Sequence, residues 1–169
     1  KISAKADNKR RAELLIKPKL KFLRILGWLP IIKFIGISGS LAAGNPVFYF
    51  FNKVDIDVFV ITRNQFLWFF FIPLVIIRRL IGSEAGQGLC FNTILDESDL
   101  RIYNRNFYTA NELWNLIPVS GFKTYNKFLH VNNWVNNFFP GFANEEEVPP
   151  FRNSANFLNK IMFIVYYMF

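Results

Sequence analysis

Apolar positions fall into short blocks whose spacing switches between helical and strand-like along the chain. Over residues 5–28, Ala12, Leu15, Ile16, Leu20, Leu23, Ile25 and Leu26 recur among Lys and Arg, which predicts a helix that Pro18 kinks or splits. Gly27 and Pro30 end it. The β-branched run Ile31 to Ser38, bounded by Pro and Gly, predicts a buried strand, and Leu41-Ala42-Ala43 a brief helical turn closed by Gly44-Asn45-Pro46. Asp55 to Thr62 is a second predicted strand. Phe66–Ile81 is long enough for a buried helix, and Arg78 and Arg79 suit its C-terminus. Gly82 to Gly88 reads as a loop and Leu89 to Leu95 as a third strand, with acidic Asp96, Glu97 and Asp99 just beyond it.

Thr109 and Glu112 have capping-box spacing, so a helix is expected to start at Thr109. Residues 125–139 predict another helix, ended by Pro140-Gly141. The expected organisation is a basic helical arm over 1–30, a domain over 31–142, a linker over 143–150 and a terminal helix over 151–169 packing on the domain. No internal repeat is visible. The β-α-β order with flanking helices predicts an α/β (α+β) unit, a small mixed sheet flanked by helices.

Length and composition narrow the classes. A chain of 169 residues accommodates one domain with a small appendage. With 52% hydrophobic and 19% charged residues it is no disordered tail, because it has enough apolar surface to offset the ordering entropy. The net charge of +8 sits in one place: residues 1–33 hold ten basic and two acidic residues, and the rest is neutral. A nucleic-acid-binding domain usually spreads its basic residues over a face of the fold, whereas here they form an arm.

Richness in Phe, 21 residues, follows the pattern of A/T-rich codons and does not itself signal a membrane protein. The longest uncharged apolar run, Phe66 to Ile77, has twelve residues and contains Pro73, and Ile161 to Phe169 has nine. A span needs roughly 20, so no transmembrane segment is expected. No signal peptide is expected either, since Lys17, Lys19, Lys21, Arg24 and Lys33 interrupt the early apolar stretch. The single cysteine, Cys90, excludes an internal disulfide and fits a reducing, cytoplasmic setting. His130, the one histidine, excludes a multi-His metal site.

The chemistry lies in one grouping, Gly39-Ser40 after the first strand and Asp55-Ile56-Asp57 opening the second. Residues i and i+2 of a strand share a face, so the two carboxylates project together, roughly 6–7 Å apart. In an apolar strand they repel each other and are costly to desolvate. A divalent cation relieves both, and Mg²⁺ binds through one or two carboxylates plus substrate phosphates. Gly39 lets the backbone approach a ligand, and the Ser40 amide and hydroxyl can donate to phosphate.

Phe34 to Ala42 followed by Asp55 to Ile61 resembles the signature of the DNA polymerase beta-type nucleotidyltransferase superfamily: a Gly-Ser turn, a spacer, then Asp-x-Asp in a hydrophobic strand. Leu89 to Asn92, Tyr108 to Leu113, and Asn133-Trp134-Val135 with Pro140 are similar to segments of bacterial nucleotidyltransferase-domain proteins without an assigned substrate. The resemblance covers about residues 20–142. It implies metal-dependent transfer of a nucleoside monophosphate from an NTP to an acceptor hydroxyl, with Asp55 and Asp57 as catalytic, Mg²⁺- or Mn²⁺-holding residues and Gly39 and Ser40 binding the triphosphate. The acceptor, whether small molecule, protein or nucleic acid, stays open. Two positions depart from the family: Val54 stands where Ser is common, and the strand 89–95, where a third carboxylate usually lies, offers Asn92. That second departure keeps an alternative, an inactive module of the same fold acting in partner binding or at a membrane surface through the basic arm and the apolar segments 66–77 and 161–169.

Other features have plainer readings. Cys90 is expected to be a small core residue, His130 a surface or capping residue, and Phe66–Phe71 part of a buried helix. Arg78 and Arg79 are expected at a solvated helix end, the Asn-rich stretch 125–137 on a polar surface, and Glu145–Glu147 in a solvated linker.

Overall fold

Four strands carry the architecture, and helices cover both faces of their sheet. The computed structural model describes residues 14, 17, 19–44, 55–85 and 89–143, so the expectations for residues 1–13, the kink at Pro18, all but the first residue of the linker over 143–150 and the terminal helix over 151–169 lie outside the described residues. Helix α1 covers 19–27. It is followed by β1 (Ile32–Ser38), α2 (Gly39–Ala42), β2 (Ile56–Thr62), α3 (Leu67–Ala85), β3 (Leu89–Asp96), α4 (Phe107–Trp114), β4 (Ile117–Ser120), α5 (Phe122–Val131) and a 3-10 turn (Asn133–Asn137). The sheet order is β3-β2-β1-β4, with β1 antiparallel to β2 and β4 and β2 parallel to β3 across α3. This is the expected mixed α+β unit.

Strand alternation builds two cores. Ile35 and Ile37 of β1, with Ile56, Val58 and Val60 of β2, pack under Leu20 and Leu23 of α1, Leu41 of α2 and Phe70 of α3. Phe34, Phe59 and Ile61, on the opposite face, meet Ala110 and Leu113 of α4, Phe128 of α5 and Val135. Phe34 stacks on Tyr125 and Phe59 meets Phe128 edge-on, both at 5.2 Å between ring centres. Such pairs add about 0.5–1.5 kcal/mol beyond the area they bury.

Several elements differ from the sequence reading, α3 among them, since Trp68 and Phe69, expected in a buried helix, are 64% and 71% exposed. Strand β4 is not anticipated because it is short and contains Pro118, which lacks the donor a central strand needs; at the sheet edge, paired with β1 alone, that loss is tolerated. Helix α3 continues through Gly82 to Ala85, so the start of the expected loop is helical and Arg78 and Arg79 lie before the last turn. One glycine costs a helix about 1 kcal/mol against Ala, too little to stop it alone. The helix expected over 125–139 begins at Phe122 and gives way at Asn132 to the 3-10 turn.

Asn132 also departs from the polar surface expected of its segment, being 1% exposed. Its Oδ1 accepts from the Ile102 amide at 2.8 Å and from Trp134 Nε1 at 3.3 Å, and its Nδ2 donates to the Leu100 and Phe128 carbonyls at 2.7 and 2.9 Å. The amide therefore ties the loop after β3 to the end of α5. Asn132→Ala leaves these groups without the partner, and a buried unmet polar group costs about 1–3 kcal/mol, so chemical denaturation should show a loss of about 3 kcal/mol. Asn132→Asp should fare no better, because an ionised carboxylate cannot donate to the two carbonyls.

Candidate functional site

The two halves of the sequence motif meet where β1 ends and β2 begins. Ser38 is paired with Asp57 across the antiparallel ladder, and its hydroxyl donates to the Asp57 carbonyl at 3.5 Å. The next residue, Gly39, turns the chain at φ 71° into α2. A Cβ placed on Gly39 would lie 2.9 Å from Asp57 Cγ and closer still to one carboxylate oxygen. Only hydrogen fits between turn and carboxylate. Ser40 follows, half-buried, on α2.

Asp57 shares its sheet face with Phe59 and Ile61, while Ile56, Val58 and Val60 fill the opposite core, as strand alternation requires. Its own side chain is half-buried and Asp55, just before β2, is exposed. Burial, then the charge of Asp55, then the charge of Glu112 push the Asp57 carboxyl above the ordinary aspartate range. On the other side of β2, Cys90 of β3 is in register with Asp57 and half-buried.

Glu112 is the residue that sequence reasoning placed in the wrong role. Thr109 is not the cap: Asn106 is, its side chain accepting from the Thr109 amide at 2.9 Å, and α4 starts at Phe107. Asn caps at least as well as Thr, and this start turns Ala110 and Leu113 into the core. Glu112 thus sits in the second turn, where its charge reaches Asp57 and its carboxylate hydrogen-bonds Tyr108 one turn earlier. Glu112's charge first, and that hydrogen bond second, raise the Tyr108 hydroxyl above its usual range. The i, i+4 spacing of Tyr108 and Glu112 is the signal that could have exposed the pair, once Asn106 is taken as the cap.

Other acidic candidates lie elsewhere. Asn92 is exposed at a register shift between β2 and β3, so the strand presents no carboxylate there. Asp96 stands opposite Thr62, at the far end of β2, and accepts from the Gln65 and Ser98 amides and the Ser98 hydroxyl. Asp99 accepts two bonds from the Arg101 guanidinium, one from the Tyr103 hydroxyl and one from the Arg101 amide, which hold it well below the carboxylate range. His130 is exposed in the last turn of α5.

Among the described residues the ion pairs are Lys33–Glu97 and Arg101–Asp99, so neither involves Asp55, Asp57 or Glu112. No group of three or more His, Cys, Asp or Glu side chains among the described residues is gathered closely enough to hold a metal ion. Two hard carboxylates that repel, one of them half-buried, nevertheless fit Mg²⁺ or Mn²⁺, which take one or two carboxylates and complete their shell with phosphate and water. Compared with known proteins, the chain matches no family model, no curated protein and no solved structure.

Proposed function

We propose that the chain is a nucleotidyltransferase of the DNA polymerase beta type, moving a nucleoside monophosphate from an NTP to an acceptor hydroxyl with release of pyrophosphate. The observation that carries this reading is the close packing of Gly39 on the Asp57 carboxylate, with the charges of Asp55 and Glu112 converging on that same carboxylate. Asp55 and Asp57 would hold Mg²⁺ or Mn²⁺, and the Gly39–Ser40 turn would bind the triphosphate. Such an ion, when bound, neutralises charge on the phosphates during in-line displacement. Glu112 is the residue proposed to receive the acceptor's proton. The acceptor oxygen bonds to the α-phosphorus, the bond to the bridging oxygen breaks, pyrophosphate leaves with the electron pair, and the proton passes to the Glu112 carboxylate. A cytoplasmic setting, with NTP at hand and Cys90 reduced, belongs to this proposal.

Labelled NTPs with Mg²⁺ or Mn²⁺, offered with candidate small-molecule, protein and nucleic-acid acceptors, test it through pyrophosphate release. Release should need the metal. Glu112→Gln should slow it about a hundredfold, the lower end of what a general base contributes, with nucleotide affinity little changed. An unchanged rate in that variant would remove Glu112 from the chemistry. If the unaltered chain neither releases pyrophosphate nor binds NTP with metal, the inactive-module reading takes over.

A further inference from the structure

We propose that the outer surface of the helical layer formed by α1 and α3 docks on an anionic lipid surface. Leu20 and Leu23 of α1 and Phe70 of α3 face one sheet surface, so both helices belong to one layer and turn their remaining residues outward. That outward surface is apolar where a water-facing layer should be polar. Phe22, Ile25 and Trp28 are 50%, 54% and 72% exposed, and Trp68, Phe69 and Ile72 are 64%, 71% and 51% exposed. Single exposed apolar residues need no explanation, but two helices of one layer presenting them together mark an interaction surface.

Charge selects the occupant. Lys17 and Lys21 are exposed beside the apolar row of α1, and residues 1–33 carry the entire net charge of +8. A second copy of the chain would bring the same positive arm to the same face. The closing segment 151–169 brings Arg152 and Lys160 and no acidic residue. Anionic headgroups supply the missing negative charge, and the chain beneath them supplies apolar depth. Trp and Phe beside Lys are what an interfacial helix presents to such a boundary. Among the described residues no helix is long and apolar enough to cross a membrane, so the layer would lie on the surface. Asp57 shares the opposite sheet face with Phe59 and Ile61 and would stay turned to water.

Flotation of the full chain with phosphatidylcholine vesicles, with and without phosphatidylserine, at low and high salt, tests the proposal. Binding should require phosphatidylserine and weaken with salt. Lys17→Glu with Lys21→Glu should weaken it by roughly thirtyfold or more, since each basic residue near such a surface contributes about fivefold. Trp68→Ser with Ile72→Ser should abolish it and leave thermal unfolding unchanged. Equal binding to neutral vesicles overturns the proposal. So does absence of vesicle binding, whether accompanied by self-association that Trp68→Ser with Ile72→Ser dissolves, or by a lowered melting temperature in that variant, which would place another part of the chain over this face.

Discussion

Gly121→Ala should cost the fold about 4 kcal/mol or more, while Gly44→Ala should cost only the left-handed backbone penalty of about 1–2 kcal/mol. Both glycines hold a left-handed backbone, at φ 78° and 72°. The conformational penalty for a side chain is therefore the same at each, about 1–2 kcal/mol. What differs is the space. A Cβ on Gly121 would sit 2.8 Å from both the Lys33 carbonyl carbon and Phe34 Cα and overlap the Lys33 carbonyl oxygen, whereas one on Gly44 meets nothing within 4 Å among the described residues. Backbone cannot swing aside as a side-chain tip can. Relief would require β1 to part from the chain entering α5, beside the stacked Phe34 and Tyr125 rings. A loss of about 4 kcal/mol or more is expected, out of the 5–15 kcal/mol that holds a domain folded. Denaturant midpoints of the two variants, read against the parent, check both values.

Asp57→Asn should disable transfer and, unusually for a site substitution near a core, raise the melting temperature without metal. Losing a carboxylate proposed to hold the cation should remove several kcal/mol of transition-state stabilisation, and about 3 kcal/mol already corresponds to a rate loss of roughly a hundredfold. Stability moves the other way because burial and the charges of Asp55 and Glu112 oppose ionisation of Asp57. A carboxyl raised above its unfolded value favours folding while protonated, and that contribution is lost as pH rises through the folded-state value. At neutral pH the ionised carboxylate is thus a liability that Asn removes. The gap in melting temperature between variant and parent should close as pH falls from neutral toward the ordinary aspartate range. A variant less stable than its parent at neutral pH would contradict this account of Asp57.

The strands and the Gly-Ser/Asp-x-Asp motif were legible because both follow from local rules. A β-branched run between Gly and Pro has few alternatives, and the period of two assigns Asp57 to one face and Val58 to the other whatever the fold around them. The pairing of Ser38 with Asp57 did not follow from spacing, because residues 39–55 separate the two strands. Elements that depend on tertiary neighbours were harder. β4 is a strand because β1 offers it an edge, not because Ile117 to Ser120 demands it. Glu112 looked like a capping residue because Thr109 stands three positions before it; Asn106 wins because a start at Phe107 buries Ala110 and Leu113. Asn132 looked like surface in an Asn-rich stretch and became buried because a single amide there satisfies four neighbours.

Whether Asp55 and Asp57 hold a divalent cation with the help of a triphosphate is the claim on which the functional reading turns, and Mn²⁺ tests it without needing to know the acceptor. Electron paramagnetic resonance titration of free Mn²⁺ should show saturable uptake by the chain in the presence of a non-hydrolysable NTP, and loss of that uptake in Asp55→Asn and Asp57→Asn. Uptake of the same strength in both variants, or none by the parent chain with the nucleotide present, would contradict it.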